Sequence, residues 1–137
     1  MKKLILTLAL VLGLAFSASA AVKDFGAYTL DVPEDWNTSQ DGSTTAIIAK
    51  DNSAAISITL ETTDGMSAAD LAKAFSDQLK GTAPVKMADN AYSFTFKQND
   101  VESKGMLQVE GDKYMLVVIT GENPKVDTIM GSLKDKK

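Results

Sequence analysis

The 137-residue sequence has no cysteine and no histidine, and its 14 basic residues are all lysine. Each absence removes a chemistry. Without cysteine there is neither a thiol nucleophile nor a disulfide. Without histidine the serine–histidine pairings and the usual zinc and copper ligand sets are lost as well. Without arginine the chain lacks the bidentate fork on which nucleic-acid interfaces draw. No Ser-x-x-Lys or Gly-x-Ser-x-Gly elbow occurs, and neither Gly-x-Gly-x-x-Gly nor a Gly-Lys-Ser/Thr phosphate loop is present. The expectation is a protein that is not an enzyme and carries no cofactor.

Charge points the same way. The 18 carboxylates outnumber the lysines and leave a net charge of −4, or −6 once Lys2 and Lys3 are set aside. An acidic chain is repelled by phosphate backbones and anionic membrane surfaces, and it is kept soluble. Nucleic acid is therefore excluded as a partner.

What is present begins with the N-terminus. Met1-Lys2-Lys3 precedes an apolar run from Leu4 to Phe16, and Ser17-Ala18-Ser19-Ala20 follows. A basic start, a short apolar core and small residues at alternate positions describe a secretory signal peptide. The run is shorter than the ~20 residues of a membrane-spanning helix. Residues 1–20 are read as the signal, with cleavage after Ala20, and 21–137 as a single domain of ordinary size. The expected location is periplasmic or extracellular. No cysteine is available for lipid attachment, so no stable membrane insertion is expected after cleavage. With no disulfide, an exported protein of this kind must be held by packing alone.

The rest of the chain reads as a series of elements. Phe25 to Val32 alternates, with Tyr28, Leu30 and Val32 on one face. Pro33 ends that strand, Glu34-Asp35 turns, Trp36 returns an apolar body, and Asn37 to Ser43 reads as a polar loop. Thr44 to Lys50 and Ala54 to Thr62 form a hairpin, with either Ala46 and Ile48 or Ile47 and Ala49 turned inward. In the second of these strands Ile56, Ile58 and Leu60 share a face. Ser67 caps a helix bearing the stripe Ala68, Leu71, Ala72, Phe75 and Leu79, and Gly81 is expected to end it in a left-handed conformation.

After Pro84 a short strand spans Val85 to Met87, and the next carries Tyr92, Phe94 and Phe96 on one face. Gln98 to Glu102 reads as a loop, and Ser103 to Glu110 pairs through Gly111-Asp112 with Lys113 to Thr120. That last strand is apolar on both faces, the mark of a central position. Asn123 and Pro124 open a second helix with Val126, Ile129, Met130 and Leu133 in a stripe, and Lys134 to Lys137 reads as a frayed tail. The fold class is α+β: an α/β sandwich with a mostly antiparallel sheet of about six to seven strands and two main helices. Both helices are expected on one face, and the two-faced last strand leaves a helix on each side as the alternative.

Candidate sites are few. Asp31 and Glu61 are the carboxylates that a two-acid hydrolase would need, although each equally serves a wet sheet face. Asp51-Asn52, Asp64 and Asn99-Asp100-Glu102 offer oxygen ligands for calcium, but turns favour the same residues for local hydrogen bonds. The aromatic row Tyr92, Phe94, Phe96 suits a helix-covered core better than a pocket. The methionines are scattered, which suits gap-filling better than copper binding. Trp36 either anchors a partner or seals the core, and sealing accounts better for so large an apolar ring. With Asn37 and Asp41 it forms the candidate contact set for a partner or ligand.

The stretch Tyr28-Thr29-Leu30-Asp31-Val32-Pro33-Glu34-Asp35-Trp36 resembles the strand, Val-Pro, acidic turn and tryptophan that open many PsbP-like domains. The order of hairpin, helix, antiparallel strands and final helix resembles that superfamily too. The resemblance implies an α/β sandwich used mostly as a non-enzymatic accessory or binding module. Its members include extrinsic subunits of the photosynthetic water-oxidising complex, a Ran-binding nuclear factor and bacterial exported proteins. This chain lacks histidines and a basic docking surface, so neither the photosystem role nor Ran binding carries over. The expected function is a soluble accessory or protein-binding domain of the cell envelope. The alternative is a small-ligand or metal-ion binder of the same compartment.

Overall fold

A computed structural model of the chain describes residues 20–135. The expected signal segment lies outside the described residues except for Ala20, as do Lys136 and Lys137. The elements run β1 (Ala20–Asp24), β2 (Tyr28–Pro33), β3 (Trp36–Asp41), β4 (Thr44–Ala49), β5 (Ala54–Thr62) and α1 (Ala68–Leu79). They continue with β6 (Val85–Ala88), β7 (Ala91–Gln98), β8 (Val101–Glu110), β9 (Lys113–Gly121), α2 (Lys125–Gly131) and β10 (Lys134–Asp135).

Seven strands form one antiparallel sheet in the order β3-β4-β5-β9-β8-β7-β6. A second sheet places β2 between β1 and β10. The α+β sandwich read from the sequence is the observed fold, and β9 lies at the centre of the large sheet as its two apolar faces require.

Those two faces decide the layering. Val117 faces a core made by Tyr28, Leu30 and Val32 of β2, Val126 and Ile129 of α2, and Trp36, Ile47, Ala49, Ile56 and Ile58 of the large sheet. Its neighbour Leu116 faces the other way, into a core of Leu71 and Ala72 of α1 with Phe94, Phe96 and Leu107. The helices therefore lie on opposite faces, which corrects the expectation that they share one. A sheet apolar on both sides at its centre needs two covers. The small sheet and α2 supply one, and α1 supplies the other.

Four local expectations are corrected. Asn37 to Ser43 is not a loop: β3 pairs with β4 in unbroken register from Trp36↔Ala49 to Asp41↔Thr44, leaving only Gly42-Ser43 to turn. Gln98 to Glu102 is likewise mostly ladder. Asn99 and Asp100, both at positive φ (52° and 65°), form a tight two-residue turn between paired Gln98 and Val101.

At the end of α1, Lys80 takes the left-handed conformation (φ 59°), not Gly81. Gly81 has a different reason to be small, because a Cβ there would sit 2.6 Å from the Thr95 carbonyl oxygen. The chain is drawn onto β7 at that point by the Thr82 N–H donating to the Thr95 carbonyl and the Thr95 N–H to the Thr82 hydroxyl. Finally, Lys134 and Asp135 do not fray; they pair with Thr29 and Tyr28. The Ser132 hydroxyl anchors that return by accepting from the Asp31 N–H at 2.8 Å and donating to the Ile129 carbonyl at 2.6 Å.

Candidate functional site

The candidate residues Trp36, Asn37 and Asp41 all lie on β3, and the pleat divides them. Trp36 points into the β2–α2 core and is 5% exposed, so it seals the core. Asn37 and Asp41 fall on the opposite face by alternation, across from Ile48 and Thr44, and both are exposed. The trio is therefore one strand but not one pocket. The Trp36 indole N–H has no hydrogen-bond partner among the described residues, although it is buried.

The strand's two ends differ electrically. At the Trp36 end, Lys125 of α2 donates to both Asp35 carboxylate oxygens at 3.1 Å, and the Lys50 N–H donates to the Asp35 carbonyl. At the other end Asp41 is exposed, and beyond the turn the Ser43 hydroxyl donates to the Glu61 carboxylate of β5, with the Thr44 and Thr59 hydroxyls paired at 2.9 Å. Asp41 and Glu61 take part in no ion pair among the described residues.

The other candidates disperse. Asp31 belongs to the small sheet, opposite Val22, whereas Glu61 belongs to the large one, opposite Tyr114, so no two-acid site forms. The calcium candidates are occupied as turns: Asp51 accepts from the Ser53 N–H, and the Ser53 hydroxyl first and that N–H second hold its carboxyl below the usual range, while Asp64 accepts from the Thr62 hydroxyl. Phe94 and Phe96 are buried beneath α1, with ring centroids 6.0 Å apart. Met106, Met115 and Met130 pack against the other core, while Met66 and Met87 are exposed.

Two tyrosines have perturbed acidity. Burial pushes the Tyr28 phenol up, and the nearby Thr45 hydroxyl offsets part of that rise. The Thr45 hydroxyl itself makes no hydrogen bond of ordinary geometry. Tyr114 is raised by burial first and by the Glu61 and Asp64 charges second.

An apolar groove of about 270 Å³ lies where α1 stops short of β4 and β5, lined by Ala46, Ile48, Leu79, Phe96 and Val118 among others. No helix among the described residues is long and apolar enough to cross a membrane, and no group of three or more acidic residues among them could hold a metal ion.

The solution structure of cyanobacterial PsbP (CyanoP) from Synechocystis sp. PCC 6803 superposes with a TM-score of 0.58, covering 90% of this chain and 96% of that one at 12% identity. The chain has a PsbP-like fold. A crystal structure from Bacteroides thetaiotaomicron VPI-5482 also matches, with a TM-score of 0.50 over 88% of the chain at 14% identity. The chain spans about half of that protein, 49% of its length. No family model matches the sequence, and no curated protein matches it.

Sequence reasoning missed β3 as a strand and with it the edge on which its own candidates sit. The signal was present in Gly42-Ser43, a two-residue hairpin link when it stands between two extended segments.

Proposed function

We propose that the protein is an exported, soluble, non-enzymatic accessory domain of the cell envelope, formed by residues 21–137 and acting through contact with another protein. The observation that carries this is a fold likeness to cyanobacterial PsbP running over nearly the whole of both chains. The leader-like N-terminus and the acidic, arginine-free composition support export and solubility. Chemical cross-linking of the tagged mature chain in the native envelope fraction, followed by mass spectrometry, tests it. The expected result is one reproducible protein partner. Cross-links scattered over unrelated proteins from one preparation to the next count against it.

A small-ligand reading rests on the groove beside Leu79 and Phe96, whose lining is mainly apolar. A saturable shift of the Ile48 and Val118 methyl signals with an apolar small molecule would favour that reading over protein contact.

A further inference from the structure

The two edges of the seven-stranded sheet are built differently. β6 carries the devices that stop a strand from joining its neighbours. It is four residues long, follows Pro84, carries Lys86, and has a register irregularity between Lys86 and Ala88. β3 has none of these. It is six residues long and regular throughout, and contains no proline, lysine or bulge. Among the described residues it has a strand on one side only. Asn37 to Asp41 are all exposed, and only the Gln40 side chain is tied, donating to the Phe25 carbonyl at 3.2 Å. An edge of that length offers a row of backbone donors and acceptors to an added strand.

We propose that β3 is a docking edge that takes an extended segment of another protein by strand addition, with a lysine or arginine of that segment lying against Asp41. The charge distribution selects this occupant. Asp41, which takes part in no ion pair among the described residues, leaves one end of the edge negative, while Asp35 at the other end is already matched by Lys125. The net charge of −6 without Lys2 and Lys3 attracts a cationic segment and repels a second copy of the chain. Strand addition draws affinity from the main chain, so the side chains of Asn37 to Gln40 need only be small, polar and free of charge, as they are. The proposal rests on the protein-contact reading and names the surface that would serve it.

The test uses the mature chain and two synthetic peptides of alternating threonine and valine, one flanked by lysines and the other by glutamates. Amide chemical shifts are followed by NMR. The lysine-flanked peptide is expected to shift the Asn37–Asp41 amides in a saturable way. Asp41→Lys is expected to weaken its binding roughly two- to five-fold, the range of an exposed ion pair. The glutamate-flanked peptide is expected to lose a similar factor, and Lys86→Glu on β6 to change nothing. Shifts that map to β6 or a sheet face overturn the proposal. So do an absence of shifts with either peptide, and concentration-dependent self-association through β3. Failure here is distinguishable from failure of the parent reading. A reproducible envelope partner cross-linked away from β3 leaves protein contact standing and removes the docking edge, whereas scattered cross-links remove the parent reading whatever the peptides do.

Discussion

Trp36 combines a large apolar ring with a buried N–H that has no acceptor among the described residues. An unpaired buried donor costs about 1–3 kcal/mol, and the ring stays inside because the area it removes from water outweighs that cost. Trp36→Ala is therefore expected to lose ~3–5 kcal/mol in urea unfolding, as for other buried aromatic truncations. A loss under about 1 kcal/mol would place the ring's work at the surface instead. Tyr28 gives the molecule a pH limit. Its phenol is protonated in both folded and unfolded chains below the ordinary value of 10.0, so its burial contributes fully there. As pH rises past 10.0 the unfolded chain loses its proton first, and stability falls until the raised folded group titrates too. Tyr114, raised in the same direction, adds to the loss. The urea midpoint should drop above that pH in the native chain and drop less in Tyr28→Phe. Equal slopes in the two proteins would refute the assignment.

At the scale of elements, the strands and helix that bury a row of apolar residues were legible, whereas β3 and β10, which bury almost none, were not. Ile56, Ile58 and Leu60 marked β5, and the stripe from Ala68 to Leu79 marked α1, because burial writes periodicity into sequence. β3 buries only Trp36, so Asn37 to Asp41 carry no alternation to read. β10 is two residues held by the Ser132 hydroxyl, a tertiary contact spanning 101 positions that no local pattern announces. The candidate site shared this limit: Asn37 and Asp41 were found as polar residues near a tryptophan, and the pleat that turns them away from it depends on a strand the pattern concealed. Ser132→Ala removes both hydrogen bonds and leaves the Asp31 N–H without its partner, so a loss of about 1–3 kcal/mol is expected, with faster amide exchange at Asp31. The C-terminus of α1 offers the complementary case. Gly81→Ala would look harmless from its backbone angles, yet the new methyl meets the Thr95 carbonyl and Phe96. It is expected to cost about 1–3 kcal/mol in thermal or urea unfolding, as overpacking does.

For the whole molecule, the question is whether two cores separated by a sheet behave as one unit. Leu116 and Val117 are consecutive in β9, yet each belongs to a different core. β9 also carries the longest pairing among the described residues, nine residues to β5, and a further eight to β8. Emptying either core therefore loosens the strand on which both depend, and the two should unfold together, as chains of under about 150 residues usually do. Ile58→Ala weakens the β2–α2 side and Leu107→Ala the α1 side, each by an expected ~2–5 kcal/mol. Trp36 fluorescence reports the first core and far-ultraviolet helix dichroism, dominated by α1, reports the second. The two signals should give coincident urea transitions in the native chain and in both variants. If Leu107→Ala lost its helix signal at lower urea than its Trp36 signal, α1 with β6–β8 would be a separate cooperative unit, and the β3 edge would remain folded after that half had melted.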